Sequence, residues 1–300
     1  MSIDGVSKSV SVVILTLNEA VNLPQCLASL KGLDCEVFIV DSGSTDRTVE
    51  IARSFDASVV THPFENYGAQ RNWALENLNL RTPWVLHLDA DERLSPALRD
   101  SIARALADPQ DHQGFLVGKS VIFMGRQIRH GGLFPSYHLR LFRVGKGRCE
   151  DRLYDQHFMV EGKVGSLRGE LFDVIASDLT SWIARHNRWS DLEVREVLNQ
   201  SGQPGTTVEP HLDGTPIERR RWLRNSFYYR MPLFVRAFFY FIWRYFIRLG
   251  FLDGREGLIF HFLHGCWYRF VVDAKIYEAT IKALQNPRPQ PQPAESGQVG

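Results

Sequence analysis

Two aspartates, Asp89 and Asp91, stand two residues apart directly after the apolar run Trp84–Leu88. Carboxylates at that spacing, emerging from the end of a buried strand, can flank one hard cation or its ligand. Oxygen ligands favour Mg²⁺ or Mn²⁺, which usually keep waters and hold a diphosphate as well. A divalent cation there would neutralise charge on a departing diphosphate. Alone, Asp-x-Asp is a common tripeptide, and Asp91 or Glu92 could merely cap a turn. Two further polar clusters give it weight. Thr16-Leu17-Asn18-Glu19 follows the apolar run from Val10, and Asp41-Ser42-Gly43-Ser44-Thr45-Asp46 follows the run from Glu36. Asp41 is a carboxylate where an apolar residue would otherwise continue. It could accept hydrogen bonds from a base or a ribose, while Asp46 is better placed to cap the next helix.

These clusters share a rim only if the runs before them are neighbouring strands. The spacing predicts strands over Val10–Thr16, Glu36–Asp41, Ser58–Thr61 and Trp84–Asp89, and helices over Leu23–Leu30, Asp46–Phe55, Ala69–Leu78 and Ser95–Leu106. The first strand is apolar throughout, as a strand covered on both faces should be. Ser95-Pro96 reads as an N-cap followed by Pro at the first helical position. This alternation implies an α/β fold with a mostly parallel sheet and helices on both faces. Ligands of such sheets bind beyond the carboxyl ends of the strands. From Gly114 the pattern changes. Phe115–Met124 and Tyr137–Arg143 read as strands of a mixed or antiparallel part, Gly131-Gly132 as a loop, and Leu179–Leu198 as a long helix.

Composition narrows the function classes. The 300 residues carry 35 Lys+Arg against 34 Asp+Glu, a balance that disfavours a whole-chain nucleic-acid binder. A hydrophobic share of 44% is enough for a core and too high for a disordered chain. Cys26, Cys35, Cys149 and Cys266 are scattered with no CxxC pair, so they read as structural thiols in a reducing compartment. The N-terminal MSIDGVSKSV has no charged segment followed by an apolar one, so no signal peptide is expected and the chain is placed in the cytoplasm. No stretch reaches about 18 uninterrupted apolar residues, the length a spanning helix needs.

The stretches VSVVILTLNEAVNLPQCLASL, EVFIVDSGSTDRTVEIA, GAQRNWAL and WVLHLDADERL, over about the first 110 residues, together resemble the family 2 glycosyltransferases with the GT-A, Rossmann-like fold. The match continues more weakly through YHLRLFR and VEGKVGSLRGEL, which is similar to the branch that adds sugars to lipopolysaccharide core or exopolysaccharide repeat units. The resemblance implies a nucleotide-diphosphate sugar donor, most often UDP-linked, and a divalent cation. It implies that Thr16, Asn18 and Glu19 line the nucleotide pocket and that Asp41, with Ser44 in its loop, binds the base. It implies that Arg71 lies near the diphosphate or donor sugar, that Asp89 and Ala90 touch the donor, and that Asp89 and Asp91 form the metal motif, Asp91 being the direct ligand. Members that invert the anomeric centre need a general base. Many carry a Glu-Asp pair where this chain has Glu150-Asp151, and relatives nearer the lipopolysaccharide branch carry His-Glu near Asp155-Gln156. The base is therefore expected at Asp151 or Asp155, with Glu150 behind them. His157 reads as structural. Arg188-Trp189 is similar to a pair in processive members, but Arg185 stands where they have Gln, so transfer of a single sugar is expected.

Glu218–Arg248 holds eight arginines, one glutamate and twelve aromatic residues. At 100° per residue Arg236, Arg244 and Arg248 fall on one arc of a helix that is otherwise Phe, Tyr, Trp, Leu and Ile. That is the pattern of a helix lying in a membrane interface with arginines toward lipid phosphates. A second apolar helix is expected over Leu258–Tyr277. The catalytic body or a second copy in a homodimer are the alternative coverings for this surface. Peripheral contact at the inner face of the plasma membrane would suit a lipid-linked saccharide acceptor. The expected organisation is a catalytic domain over 1–200 (nucleotide-sugar half 1–112, acceptor half 113–200), a linker over 201–217, membrane-associated helices over 218–285 and a disordered tail over 286–300. A sugar-phosphate nucleotidyltransferase would need a Gly-rich basic loop after the first strand, where Thr16-Leu17-Asn18-Glu19 stands. A silent adaptor keeping the fold would not need Asp41, Asp89 and Asp91.

Overall fold

Strand β1 (Val10–Thr16) is buried on both faces and forms the middle of the N-terminal sheet. In the computed structural model, which describes residues 8–199 and 206–285, it is followed by α1 (Leu23–Ser29), β2 (Cys35–Asp41), α2 (Thr48–Ser54), β3 (Ser58–Thr61), α3 (Tyr67–Asn77) and β4 (Trp84–Asp89). The expected tail and residues 200–205 of the expected linker lie outside the described residues. β1 pairs in parallel with β2 on one side and β4 on the other, and β2 with β3. Strand order therefore reverses beside β1, and the register sets Thr16 opposite Asp41 and Leu15 opposite Asp89. The three polar clusters do share one rim, at the switch point where such sheets bind ligands. α2 begins two residues after Asp46, whose Oδ1 accepts from the Thr48 amide at 3.0 Å. α3 begins two residues before Ala69, because Asn66 caps it.

After β4 the chain has more strands than its hydrophobic pattern suggests: β5 (Glu92–Leu94), α4 (Pro96–Ala107), β6 (Gly114–Phe123), β7 (Arg126–Ile128), β8 (Ser136–Arg143), β9 (Gly147–Cys149), β10 (Phe158–Val160) and β11 (Val164–Ile175), then α5 (Leu179–Asn199). Three-residue strands are too short to show a period. β11 hides its period behind a bulge between Ser166 and Glu170. There Gly169, at φ +97°, lies so close to Leu98 that an added Cβ would sit 2.2 Å from its amide nitrogen. This contact seats the start of α4, where Ser95 caps the helix as expected and also accepts from the Glu170 amide at 2.9 Å.

The strand path runs β3-β2-β1-β4-β8-β6-β11-β5, with β7 on β6 and β9-β10 as a separate ribbon. β6 and β11 are parallel; β8 and β5 run antiparallel to their neighbours. Laid flat, four strand spacings would separate β4 from β5 by about 19 Å. Only Ala90 and Asp91 join them, a span of about 11 Å at most from Asp89 to Glu92. The sheet must therefore curl, and the curl brings β6, β8 and β11 round to face the Asp-x-Asp turn.

After Thr215, whose side chain forms a capping box with Glu218, come α6 (Pro216–Ser226), α7 (Val235–Ile242), α8 (Gly254–Phe262) and α9 (Tyr268–Gln285). Two π-helical turns, Trp243–Ile247 and Leu263–Trp267, extend α7 and precede α9. α9 packs on α5 through Val194, Tyr268, Val272 and Ile276. No helix among the described residues is long and apolar enough to cross a membrane. The expectation for the arginines is corrected here. Arg236 is buried and bonds Asp273 through Nε at 2.8 Å, and Arg244 is buried against His261 and His264, at 2.9 Å from each. A guanidinium in a helix bundle needs acceptors, so the arc they share turns inward. The outward arc carries Phe238, Phe239, Ile242, Trp243 and Phe246, and only Arg248 of the three is exposed. Cys26, Cys149 and Cys266 are buried, and all four thiols are free.

Candidate active site

A cleft of about 570 Å³ opens on the rim, lined by Thr16, Glu19, Tyr67, Arg71, Asp89, Ala90 and Asp91 on the N-terminal side. Lys119, His138, Arg140, Asp155, His157 and Asp173 line it from the curled half, and Trp182, Arg185, Arg188, Trp189, Phe260 and His264 from the helices.

Asn18, Asp41 and Ser44 brace the rim rather than line the cleft. Asn18 accepts from the Thr45 amide at 2.8 Å, tying the first loop to the second. Asp41 is 2% exposed. Its Oδ1 accepts from Thr16 and Ser44 hydroxyls, and its Oδ2 from the Gly43 and Ser44 amides at 3.0 and 2.8 Å. Burial alone would raise its pKa, but the Ser44, Thr16 and Gly43 bonds hold it below the usual value. All its acceptor positions are taken, so a base N–H would have to displace one, the Ser44 hydroxyl being the freest to rotate. Glu19 accepts from Asn22 at 2.7 Å, and burial raises its pKa.

Asp89 is held between two guanidiniums: Arg71 at 3.0 Å on Oδ1 and Arg140 at 2.9 Å on Oδ2. Burial opposes its charge, yet Arg140, Arg71 and Lys119 together keep its pKa well below the normal range. Arg140 also reaches the buried Glu92 at 2.6 Å, and Lys119 bridges Glu92 and Asp173 at 3.0 and 2.9 Å. Asp91 differs. No cationic side chain bonds it among the described residues, and burial, then Asp173 and Asp89, push its pKa well up. Its charge is the uncompensated one in the turn. No group of three or more His, Cys, Asp or Glu converges on a point among the described residues. A cation here would therefore take one or two carboxylates and fill its shell with water and phosphate oxygens, the usual habit of Mg²⁺. The donor set fits that use.

The three carboxylates expected to supply a base are separated by the structure. Glu150 is fully buried and saturated: it accepts from the His157 amide at 2.8 Å, the Val208 amide at 2.6 Å and both Arg221 amino groups. Burial raises its pKa, but His157 and Arg221 bring it down to about 2. Asp151 is exposed, and neither it nor Glu150 lines the cleft. Asp155 does, with its Oδ2 bonded to Arg224 at 2.6 Å and His157 4.0 Å from its Oδ1.

Sequence reasoning missed Lys119, Arg140, Asp173 and Arg185. Arg140 stands in YHLRLFR as the one charge between buried neighbours on β8, which was its signal. Asp173 and Lys119 had none, because only the curl brings β11 and β6 to the turn.

A model of Glycosyl transferase family 2 matches residues 11–164. The lipopolysaccharide core biosynthesis glycosyltransferase LpsC of Rhizobium meliloti is 30% identical over 92% of this chain and 95% of its own length. An uncharacterized glycosyltransferase of Rickettsia bellii is 26% identical over 95% of this chain and 91% of its own. Glucosyl-3-phosphoglycerate synthase of Mycobacterium tuberculosis, solved with Mn²⁺, uridine diphosphate and phosphoglyceric acid, overlays 38% of this chain and 44% of its own at 24% identity and a TM-score of 0.32. With the family model covering more than half of the chain and a relative matched almost end to end, this protein belongs to the family 2 glycosyltransferases and carries their GT-A fold.

Proposed function

We propose that the protein is an inverting, metal-dependent transferase. It would move one sugar from a nucleotide-diphosphate donor, UDP-linked, to a lipid-linked saccharide in lipopolysaccharide or related cell-surface glycan synthesis. The observation that carries this is the uncompensated carboxylate of Asp91, set in a cleft on the same rim as Thr16, Glu19 and Asp41. A divalent cation held by Asp91, with Asp89 beside it, would supply charge neutralisation for the leaving diphosphate. Arg71 and Arg140 keep Asp89 ionised and fixed in place. Asp155, the base candidate that lines the cleft, would take the acceptor hydroxyl proton. The acceptor oxygen forms its bond to the donor C1 on one face. The bond from C1 to the phosphate oxygen breaks on the other, its electron pair leaving with the nucleoside diphosphate. Arg224 orients the Asp155 carboxylate, and against the effect of burial His157 and Arg224 hold its pKa well below the usual carboxylate range, so it stays ionised but is a weak base while that pair is intact.

The lipid-linked acceptor is supported by the name of the Rhizobium relative and by the helical cap that α5 to α9 form. The outward face of α7 and α8 presents Phe238, Phe239, Ile242, Phe246, Ile259 and Phe262 to solvent. Arg230, Arg248 and Arg255 are exposed there and pair with no carboxylate among the described residues. From Met231 to Leu252 the chain has no Asp or Glu. A second copy would bring the same arginines to a two-fold interface, whereas an anionic bilayer at the cytoplasmic face answers them.

Thermal unfolding with UDP-, GDP- and dTDP-sugars, each with and without Mn²⁺, tests the reading. A UDP-sugar at a hundred times its Kd should add about 2.7 kcal/mol of stability, and only with the cation. Stabilisation by none of the donors would sink it and favour a silent adaptor. Transfer with retention at the anomeric carbon, read by NMR of the product, would refute inversion.

A further inference from the structure

The helical wall of the cleft is rich in rings, and two of them are histidines: His186 on α5 and His264 in the π-helical turn before α9. Neither takes part in the transfer step proposed above. Their ring centres lie 6.3 Å apart, too far for one to bond the other. Each has Nδ1 committed to the protein, and the partner decides where the ring hydrogen sits. His186 Nδ1 lies 2.9 Å from the Trp182 carbonyl, which can only accept, so Nδ1 carries the hydrogen and Nε2 is bare. His264 Nδ1 lies 2.9 Å from an Arg244 amino group, which can only donate, so Nδ1 is bare and Nε2 carries the hydrogen. The two rings are opposite tautomers on one wall. The nitrogens of an imidazole point in nearly opposite directions. With one Nδ1 turned to the backbone of α5 and the other to buried Arg244, both Nε2 atoms turn toward the cleft that the two residues line. Neither Nε2 bonds another described residue, and both reach solvent.

The roles are locked. His186 stacks on Trp182 at 3.5 Å, and turning its ring over would lose the carbonyl bond. Arg244 is 1% exposed, and its other amino group is held by His261 Nδ1 at 2.9 Å. Burial keeps both rings uncharged at neutral pH: it holds His186 down at about 4 and His264 well below the ordinary range, the Arg244 charge adding to the effect at His264. The wall therefore offers one acceptor and one donor without charge, beside Trp182, Trp189 and Phe260. In such apolar surroundings an unmet hydrogen bond is expensive. A hydroxyl both donates and accepts, so it satisfies the pair. A fully ionised phosphate has no hydrogen for His186, and an ammonium has no lone pair for His264. Water meets the same description as a hydroxyl, and the experiment below separates them.

We propose that His186 and His264 form an acceptor–donor pair that grips a sugar hydroxyl in the cleft, with Arg244 as the positioning residue that sets the tautomer of His264. The proposal rests on the glycosyl-transfer reading and names the wall that holds a saccharide. The hydroxyl belongs to the donor sugar or to the acceptor saccharide. NMR spectra of the full-length protein labelled with nitrogen-15 histidine report which nitrogen of each ring carries hydrogen, with His186→Phe and His264→Phe assigning the signals. Wild type is expected to show His186 protonated on Nδ1 and His264 on Nε2. The reverse tautomer at either ring overturns the proposal and leaves the transferase reading untouched. Arg244→Lys keeps the charge without the fork and should mix the tautomers of His264; an unmixed signal would deny Arg244 its positioning role. Calorimetric titration with Mn²⁺ then compares wild type and His264→Phe. The probes are UDP, GDP and dTDP, their glucose- and mannose-linked forms, and free glucose, galactose and mannose. A loss of about tenfold for a nucleotide sugar, with the bare nucleotide unchanged, assigns the hydroxyl to the donor. The same loss for a free sugar, with nucleotide sugars unchanged, assigns it to the acceptor. If His264→Phe binds every probe within twofold of wild type, the pair holds water only and the proposal fails, while the transferase reading stands. If wild type binds no nucleotide, nucleotide sugar or free sugar, both fall. Phenylalanine keeps the stacking of position 264 on Phe260 and Tyr268, and the wild-type spectra decide the tautomers should that variant fail to fold.

Discussion

The curled sheet and the helical cap both bury arginines, and they use them differently. Around the Asp-x-Asp turn, Arg71, Arg140 and Lys119 meet Asp89, Glu92 and Asp173, yet Asp91 is left over. In the cap, Arg236 meets Asp273, Arg221 meets Glu150 and Arg269 meets Glu193. Arg244 has two histidine nitrogens instead. A guanidinium can only donate, so both Nδ1 atoms must be bare and both rings neutral. Buried charges that close on themselves are scaffold. A set that leaves one carboxylate over, facing an open cleft, fits the cation site proposed above. What the cap leaves uncovered is its outer, apolar face, which the proposed membrane contact would cover.

The largest effect should come from that leftover carboxylate. Asp91→Asn is expected to lower transfer by about 10³-fold, the scale of several kcal/mol of lost charge stabilisation. Its raised pKa means that ionisation of Asp91 costs folding stability above the ordinary carboxylate pKa. The same variant should therefore melt at a higher temperature than wild type without divalent cation. A lower midpoint would mean that Asp91 is as well compensated as Asp89, and the contrast would be lost.

Next comes the cap. Arg236→Ala leaves Asp273 buried with only the Phe234 amide at 2.7 Å, and should cost about 3–5 kcal/mol in urea unfolding. An arginine reaching for lipid would cost almost nothing in solution, so a loss below 1 kcal/mol would restore the outward orientation.

Acid should separate the regions by pH. Burial holds His186 and His261 down at about 4, with Arg charge adding to the effect at His261. A histidine depressed in the fold gives its full contribution above its unfolded pKa of about 6.5 and loses it as pH falls toward 4. Glu150, at about 2, keeps its contribution down to about 4.5 and loses it only below that. Trp182 stacks on His186 at 3.5 Å, so tryptophan fluorescence should change between pH 6.5 and 4, before the far-UV signal of the sheet. Coincident transitions would deny the cap its separate acid sensitivity.

The smallest effect on the fold should come from the outer face. Phe239→Ser, at a site 53% exposed, should shift stability by less than about 0.5 kcal/mol while weakening sedimentation with anionic vesicles. Unchanged vesicle binding in a Phe239→Ser/Phe246→Ser double variant would leave the apolar face without its lipid.

The parallel half was legible because β1, β2 and β4 are six or seven residues of mostly apolar chain ending in polar clusters. Such a run has one stable setting, covered on both faces, and its carboxyl end is where ligands gather. That much gave the α/β class, the helices that follow and the placing of Thr16, Asp41 and Asp89 on one rim. Helix period likewise told that Arg236 and Arg244 share a face. It could not tell which way that face turns, since both an inward ion pair and an outward phosphate satisfy a guanidinium. Only the position of Asp273 and His261 on neighbouring helices decided it. The same limit applies at the site. Lys119, Arg140 and Asp173 are scattered along three strands, and they reach the Asp-x-Asp turn because Ala90 and Asp91 are too short a link for a flat sheet. Local pattern determines elements and their buried faces. Which charges meet depends on closure of the sheet and packing of the cap, which no short window of sequence contains.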